Sequence, residues 1–169
     1  MNGMATSNVK ADTTWSMLAD EEEKVRQSKM AQRYKELAAL SEEERVSQTM
    51  RMLMAEYALP DAKLRAFTLS RLHTWLSLDK GIAQRVSASY EAVMLKMPGT
   101  AAMRRVALVQ TLSRDFPLEQ QVQMVELFPD AFGGLKEAIA ARRRMEATSA
   151  TAAATAAQAK KSWWAFWKR

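Results

Sequence analysis

An all-α fold, a compact bundle of five to six short helices, follows from three features of the 169-residue sequence. Gly and Pro are scarce, at five and four residues, so chain-breaking punctuation falls at only a few sites. Helix formers dominate: 29 Ala, 16 Leu and 12 Met stand against nine Val and two Ile, the β-branched residues that strands favour. Apolar side chains also recur at three- and four-residue spacing over most of the chain. A β-sandwich, a doubly wound parallel sheet and a disulfide scaffold are excluded, the last because Cys is absent.

Residues 1–19 read as a disordered or extended N-terminus. Residues 20–40 read as a charged helix: Asp20–Lys24 and Glu22–Arg26 pair at i,i+4, and the acids sit where the helix dipole favours them. Met30, Tyr34 and Leu37 supply only a thin apolar stripe, so this helix is expected to reach away from the main body.

The bundle domain spans 41–146. Ser41 with Glu44 forms a capping box, and Val46, Met50, Leu53, Met54 and Tyr57 follow as its apolar stripe. Pro60 and Asp61 open a helix to about Leu78 that is apolar on two sides, with Leu69, Leu72 and Leu76 on one and Leu64, Phe67, Trp75 and Leu78 on the other. Such a helix belongs in the middle of a bundle. After Asp79 and Gly81, the stripe Ile82, Val86, Tyr90, Val93, Met94 and Met97 marks another helix, and Pro98–Gly99 ends it. Ala102, Val106, Val109, Leu112 and Phe116 define the next, and Pro117 opens one with Leu118, Val122, Val125 and Phe128 inward. Gly133–Gly134 precede a last helix from about Leu135 to Met145. Met50, Met52 and Met54 alternate, so at least one lies off the core stripe.

Residues 147–169 read as an Ala-rich linker, reaching roughly 20 Å if helical and about 45 Å if extended, followed by a tail of Lys160, Lys161, Trp163, Trp164, Phe166, Trp167, Lys168 and Arg169. Residues 137–169 hold seven positive and two negative charges, most of the net charge of +6. The basicity therefore belongs to the C-terminal part, and a nucleic-acid partner is not expected. Indole is apolar with one N–H donor, and cations beside it find anionic headgroups. These eight residues are the predicted membrane- or partner-binding site. A partner pocket is the alternative, since Trp and Arg dominate interface energetics. Arg142, Arg143 and Arg144 form a secondary basic patch, expected in a last helical turn where they complement the dipole. Arg104–Arg105 are read in the same way, as solvated charges.

Catalysis is not expected. Runs such as Glu42–Glu43–Glu44 lie on charged helix faces without the apolar setting that tunes a general acid or base. The chain carries no phosphate-cradle, HExxH or EF-hand motif. His73, the one histidine, lies among Leu69, Leu72 and Leu76 and reads as a core histidine. A haem or pigment ligand is its sharper alternative. No metal and no cofactor is predicted. Gly81–Ser87 resembles the turn and recognition helix of helix-turn-helix DNA-binding proteins over seven residues. Its Gly-to-Val spacing is one residue short, and Ser77 replaces the small apolar residue.

The function expected is a non-enzymatic interaction or assembly module, attached to a membrane surface or a larger complex through its tail. The second reading is a soluble adaptor whose C-terminal peptide inserts into a partner protein. No apolar h-region opens the chain and no window of 18 apolar residues occurs, so an intracellular location, cytoplasmic or organellar, peripheral to a membrane, is expected.

Overall fold

Each helix starts where local chemistry satisfies its first backbone donors. A computed structural model describes the backbone of residues 12–127, 129 and 132–167, and side chains as far as Thr155. Eight α-helices and no strand occur among the described residues: α1 Thr13–Met17, α2 Glu23–Ala39, α3 Glu42–Tyr57, α4 Asp61–Ser77, α5 Lys80–Met94, α6 Gly99–Ser113, α7 Leu118–Leu127 and α8 Gly133–Trp167. Asp12 caps α1, its carboxylate accepting from the Trp15 amide at 3.2 Å. Ser41 and Glu44 close the reciprocal capping box of α3. Pro60, Asp79 and Pro98 occupy the N-cap positions of α4, α5 and α6.

The body spans α1 to the first turns of α8. Helix α4 is its centre: Leu64, Phe67, Leu72 and Trp75 are buried along with Thr68, Ser70, Arg71 and Thr74, so most of its circumference is covered. Helix α2 packs on α4 and α5, and α3 packs on α5. The C-terminal carbonyls of α2 are met by two arginines, Arg45 donating to Leu40 O at 3.0 Å and Arg85 to Ala38 O at 3.4 Å. Met52 is buried and Met54 is partly exposed, the split that their alternation requires.

Two expectations are corrected. The N-terminal stretch is not extended from residue 12 onward: α1 and a 3-10 turn over Leu18–Asp20 fold there, because Trp15 is a buried anchor set edge-on to Tyr34 and Phe67 at 5.5 and 5.4 Å. Helix α2 does not reach away from the body. Met30, Tyr34, Leu37 and Ala38 are all buried, and a narrow stripe of large side chains is enough to seat it while its charges coat the outside. In α7 Leu118, Val122 and Val125 pack half-buried against the core, and Gln121, Met124 and Leu127 are buried beside them. Gln121 is held inside because its amide donates to Phe116 O at 2.7 Å and Arg114 O at 3.1 Å, satisfying carbonyls beyond the end of α6. Phe128 lies outside the described residues.

Fully buried Phe67 touches the centre of the core, whereas Leu95 is 90% exposed. Phe67→Ala is therefore expected to lower unfolding free energy by about 3–5 kcal/mol in urea titrations. Leu95→Ala should change it by less than about 0.5 kcal/mol.

Candidate functional site

Two regions stand out: a charged centre inside the body and an arm that leaves it. The centre is built on Glu56, in the last turn of α3 and 1% exposed. Its Oε1 accepts the Trp15 indole N–H at 3.0 Å, and its Oε2 accepts from the Arg71 guanidinium. Arg105 from α6 lies at 3.5 Å from the same Oε2. Arg71 and Arg105 are 1% and 6% exposed, so two cations share one carboxylate in the interior.

The excess positive charge rests on aromatic faces. The Arg71 guanidinium lies over Trp75 at 5.0 Å and Tyr90 at 5.5 Å, and Arg105 lies over Tyr90 at 4.9 Å. The Tyr34 and Tyr90 hydroxyls share a hydrogen bond at 3.2 Å. Burial pushes the Tyr90 phenol up to about 12 and that of Tyr34 well above its usual range, and it raises Tyr57 as well. Burial also lowers the Arg105 pKa, with repulsion from Arg71 adding to it. For Arg71 burial acts downward too, but the Glu56 carboxylate outweighs it and the net direction is upward. The chemistry available here is structural: each charged group is held by another or by a ring face.

Sequence reasoning missed this centre and read Arg105 as a solvated charge. Arg105 is buried because it stands four, seven and eleven residues before Val109, Leu112 and Phe116 on the inward stripe of α6. The signal was present in α4 too. Arg71 fills the gap between Phe67 and Trp75 in the stripe from Leu64 to Leu78.

The arm is α8. Leu135 and Ile139 are buried beside Phe132, and every residue from 140 to 155 is exposed. Arg142, Arg143 and Arg144 lie within this stretch. The expected last turn does not exist: the helix runs on past Arg144 to Trp167, so these arginines do not face a helix C-terminus. What extends it is composition. Ala has the highest helix propensity and supplies eight of residues 147–159, while Thr148, Thr151 and Thr155 are accommodated with their hydroxyls donating to carbonyls four residues back at 2.8–2.9 Å. Residues 147–167 thus take the helical one of the two forms open to the Ala-rich linker. Positions 160, 161, 163, 164, 166 and 167 lie on that helical backbone. Lys168 and Arg169 lie outside the described residues.

His73 is half-buried and its ring stacks on Phe116 at 4.7 Å. Among the described residues no group of three His, Cys, Asp or Glu is placed to hold a metal ion. No helix among them is long and apolar enough to cross a membrane. Gly81 lies in the first turn of α5, not in the turn that precedes it. Compared with known protein families, curated proteins and solved structures, the chain matches none.

Glu56→Gln keeps the shape and leaves two buried arginines without a carboxylate. Its expected cost is about 3–5 kcal/mol in urea unfolding, and Arg105→Met should cost less, since Arg71 alone makes the close contact. The phenols set an alkaline limit. Below pH 10 they are neutral in both folded and unfolded chains. Between pH 10 and about 12 the unfolded chain loses its protons first, so stability falls as pH rises, and Tyr90→Phe should flatten that fall.

Proposed function

We propose that this chain is a non-enzymatic assembly module, held at a membrane surface or in a larger complex by the Trp- and Lys/Arg-rich tip of its projecting helix. The observation that carries this reading is the uninterrupted exposure of residues 140–155 along α8. A helix exposed on all sides is a spacer, and at 1.5 Å per residue the 28 steps from Ile139 to Trp167 carry the tip roughly 42 Å along its axis. Helical geometry also concentrates the tip's chemistry. At 100° per residue, positions 163, 164, 166 and 167 fall within an arc of about 160°, with position 160 inside that arc and position 161 outside it. Aromatic positions gathered on one side, with cations among and beside them, suit an interfacial helix.

An anionic bilayer satisfies both kinds of group at once. Four cations contribute on the order of 1 kcal/mol each near such a surface, with the aromatic rings adding to them. The attachment is reversible, because nothing in the tip approaches a transmembrane span. A partner protein with an apolar groove and acidic rim offers the same chemistry, and a soluble adaptor is the second reading. The site residues are Lys160, Lys161, Trp163, Trp164, Phe166, Trp167, Lys168 and Arg169, with Arg142–Arg144 along the shaft as a secondary patch.

Co-sedimentation with vesicles containing phosphatidylserine, comparing the full chain with one ending at Ala159, tests the tip directly. The full chain should bind, bind less as salt rises, and lose at least tenfold in partitioning on truncation. Equal binding by both chains would remove the tip from the attachment. A synthetic peptide of residues 160–169 that retains a single protein stoichiometrically, while the vesicles recover nothing, selects the adaptor reading.

A further inference from the structure

The outer face of α3 and α5 carries an open groove of about 670 Å³. Its floor is Val46, Met50 and Ala92, all half-buried, and Glu42 and Glu43 stand at one end with Lys96 at the other. Glu44, the third acid of that turn, is committed to the Ser41 capping box. Glu42 and Glu43 are exposed and form no ion pair among the described residues, so the rim presents two uncommitted carboxylates. Two large apolar side chains continue the same helix faces into solvent, Met54 at 44% exposure, four residues after Met50, and Leu95 at 90%, three after Ala92. An apolar floor between two helices with an acidic end is a receptor for an amphipathic, cationic helix.

We infer that the groove between α3 and α5 receives the Trp/Lys helix tip of a second copy of this chain. The inference rests on the reading that the tip is the attachment element. Charge complementarity names the occupant: Lys160 and Lys161 precede the aromatic positions by two to three residues, and Glu42 and Glu43 precede Val46 by a similar distance. Geometry excludes the same molecule's tip. Helix α8 leaves the body at Ile139 and continues unbroken to Trp167, so its tip does not return to its own groove while the helix is intact. Each copy then offers one tip and one groove. Such a contact closes into a two-fold dimer when two copies exchange tips, and otherwise builds a larger ring or an open chain.

Sedimentation-velocity and equilibrium measurements on the full chain, over about 1–200 μM and without lipid, test this. Mass that rises with concentration above that of the monomer, and its loss in the chain ending at Ala159, is the expected result. Glu42→Lys with Glu43→Lys should weaken self-association at least tenfold. The milder Glu42→Gln with Glu43→Gln should weaken it less, with circular dichroism confirming that each variant is folded. Adding a chain with Lys160→Glu and Lys161→Glu to the charge-reversed groove variant should restore mixed assembly, since charges are then exchanged across the contact. A chain monomeric throughout, or one whose assembly ignores both groove variants, overturns the inference. Vesicle binding by that monomeric chain would leave the attachment reading standing, and loss of both vesicle binding and assembly would remove the two together.

Discussion

The body depends on one carboxylate. Glu56 presents one oxygen to the indole of Trp15 and the other to two guanidinium groups, so α1, α3, α4 and α6 are joined through a single side chain. The rings over which those guanidinium groups lie come from α4 and α5, and Tyr34 adds α2 through its bond to Tyr90. Burying three charges is costly, and attraction within a dry interior offsets that cost only when the geometry is closely met. The consequence is specificity. A slide of α4 or α6 by one residue would leave a cation facing aliphatic side chains, whereas a purely apolar stripe would tolerate the slip. The N-terminal helix is bound into the same logic, because its five residues have little area of their own and gain their place from Trp15.

How far this was legible from sequence differs by level. Helix identity and most boundaries were open to reading, because Ser41–Glu44, Pro60–Asp61, Asp79 and Pro98 are local signals that act within one turn. The centrality of α4 was legible for the same reason, since an excess of apolar positions around one helix needs no knowledge of its neighbours. The charged centre was not. Arg71 and Arg105 sit at stripe positions, yet a cation there has meaning only once Glu56 is known to face it across 15 and 49 residues of sequence. Periodicity treats a charge as an interruption. Here the interruption was the structure. The burial of Gln121 in α7 was hidden for a similar reason: it is polar by type but faces inward to satisfy carbonyls that the preceding helix leaves open.

The continuity of α8 was left open by the sequence for a different reason. Thirteen residues of Ala, Thr, Ser and Gln lack an apolar stripe, and the absence of a stripe is ordinarily the mark of a linker. Propensity supplies what burial does not: Ala loses little entropy on becoming helical, and the three Thr are tolerated with each hydroxyl satisfied by a carbonyl of its own helix. Such a helix needs no neighbour, and from residue 140 to 155 it has none among the described residues. The body and the arm are thus governed by opposite principles, one by contacts between distant residues and the other by contacts within a turn.

That difference bears on where the tip can act. A flexible linker of the same length would span only about 30 Å on average, with a broad spread that includes zero, and would present the tip to its own body at millimolar effective concentration. Folding back would then compete with every outside surface. A helix removes that competition by fixing a distance of roughly 42 Å between the last buried residue and the final indole position. Under the proposed reading, a contact of the tip is one between molecules, or between the molecule and a surface, and its strength follows the concentration of that partner. The Ala-rich segment has a structural consequence that its composition alone conceals: by being helical it extends α8 well past its last buried residue, Ile139.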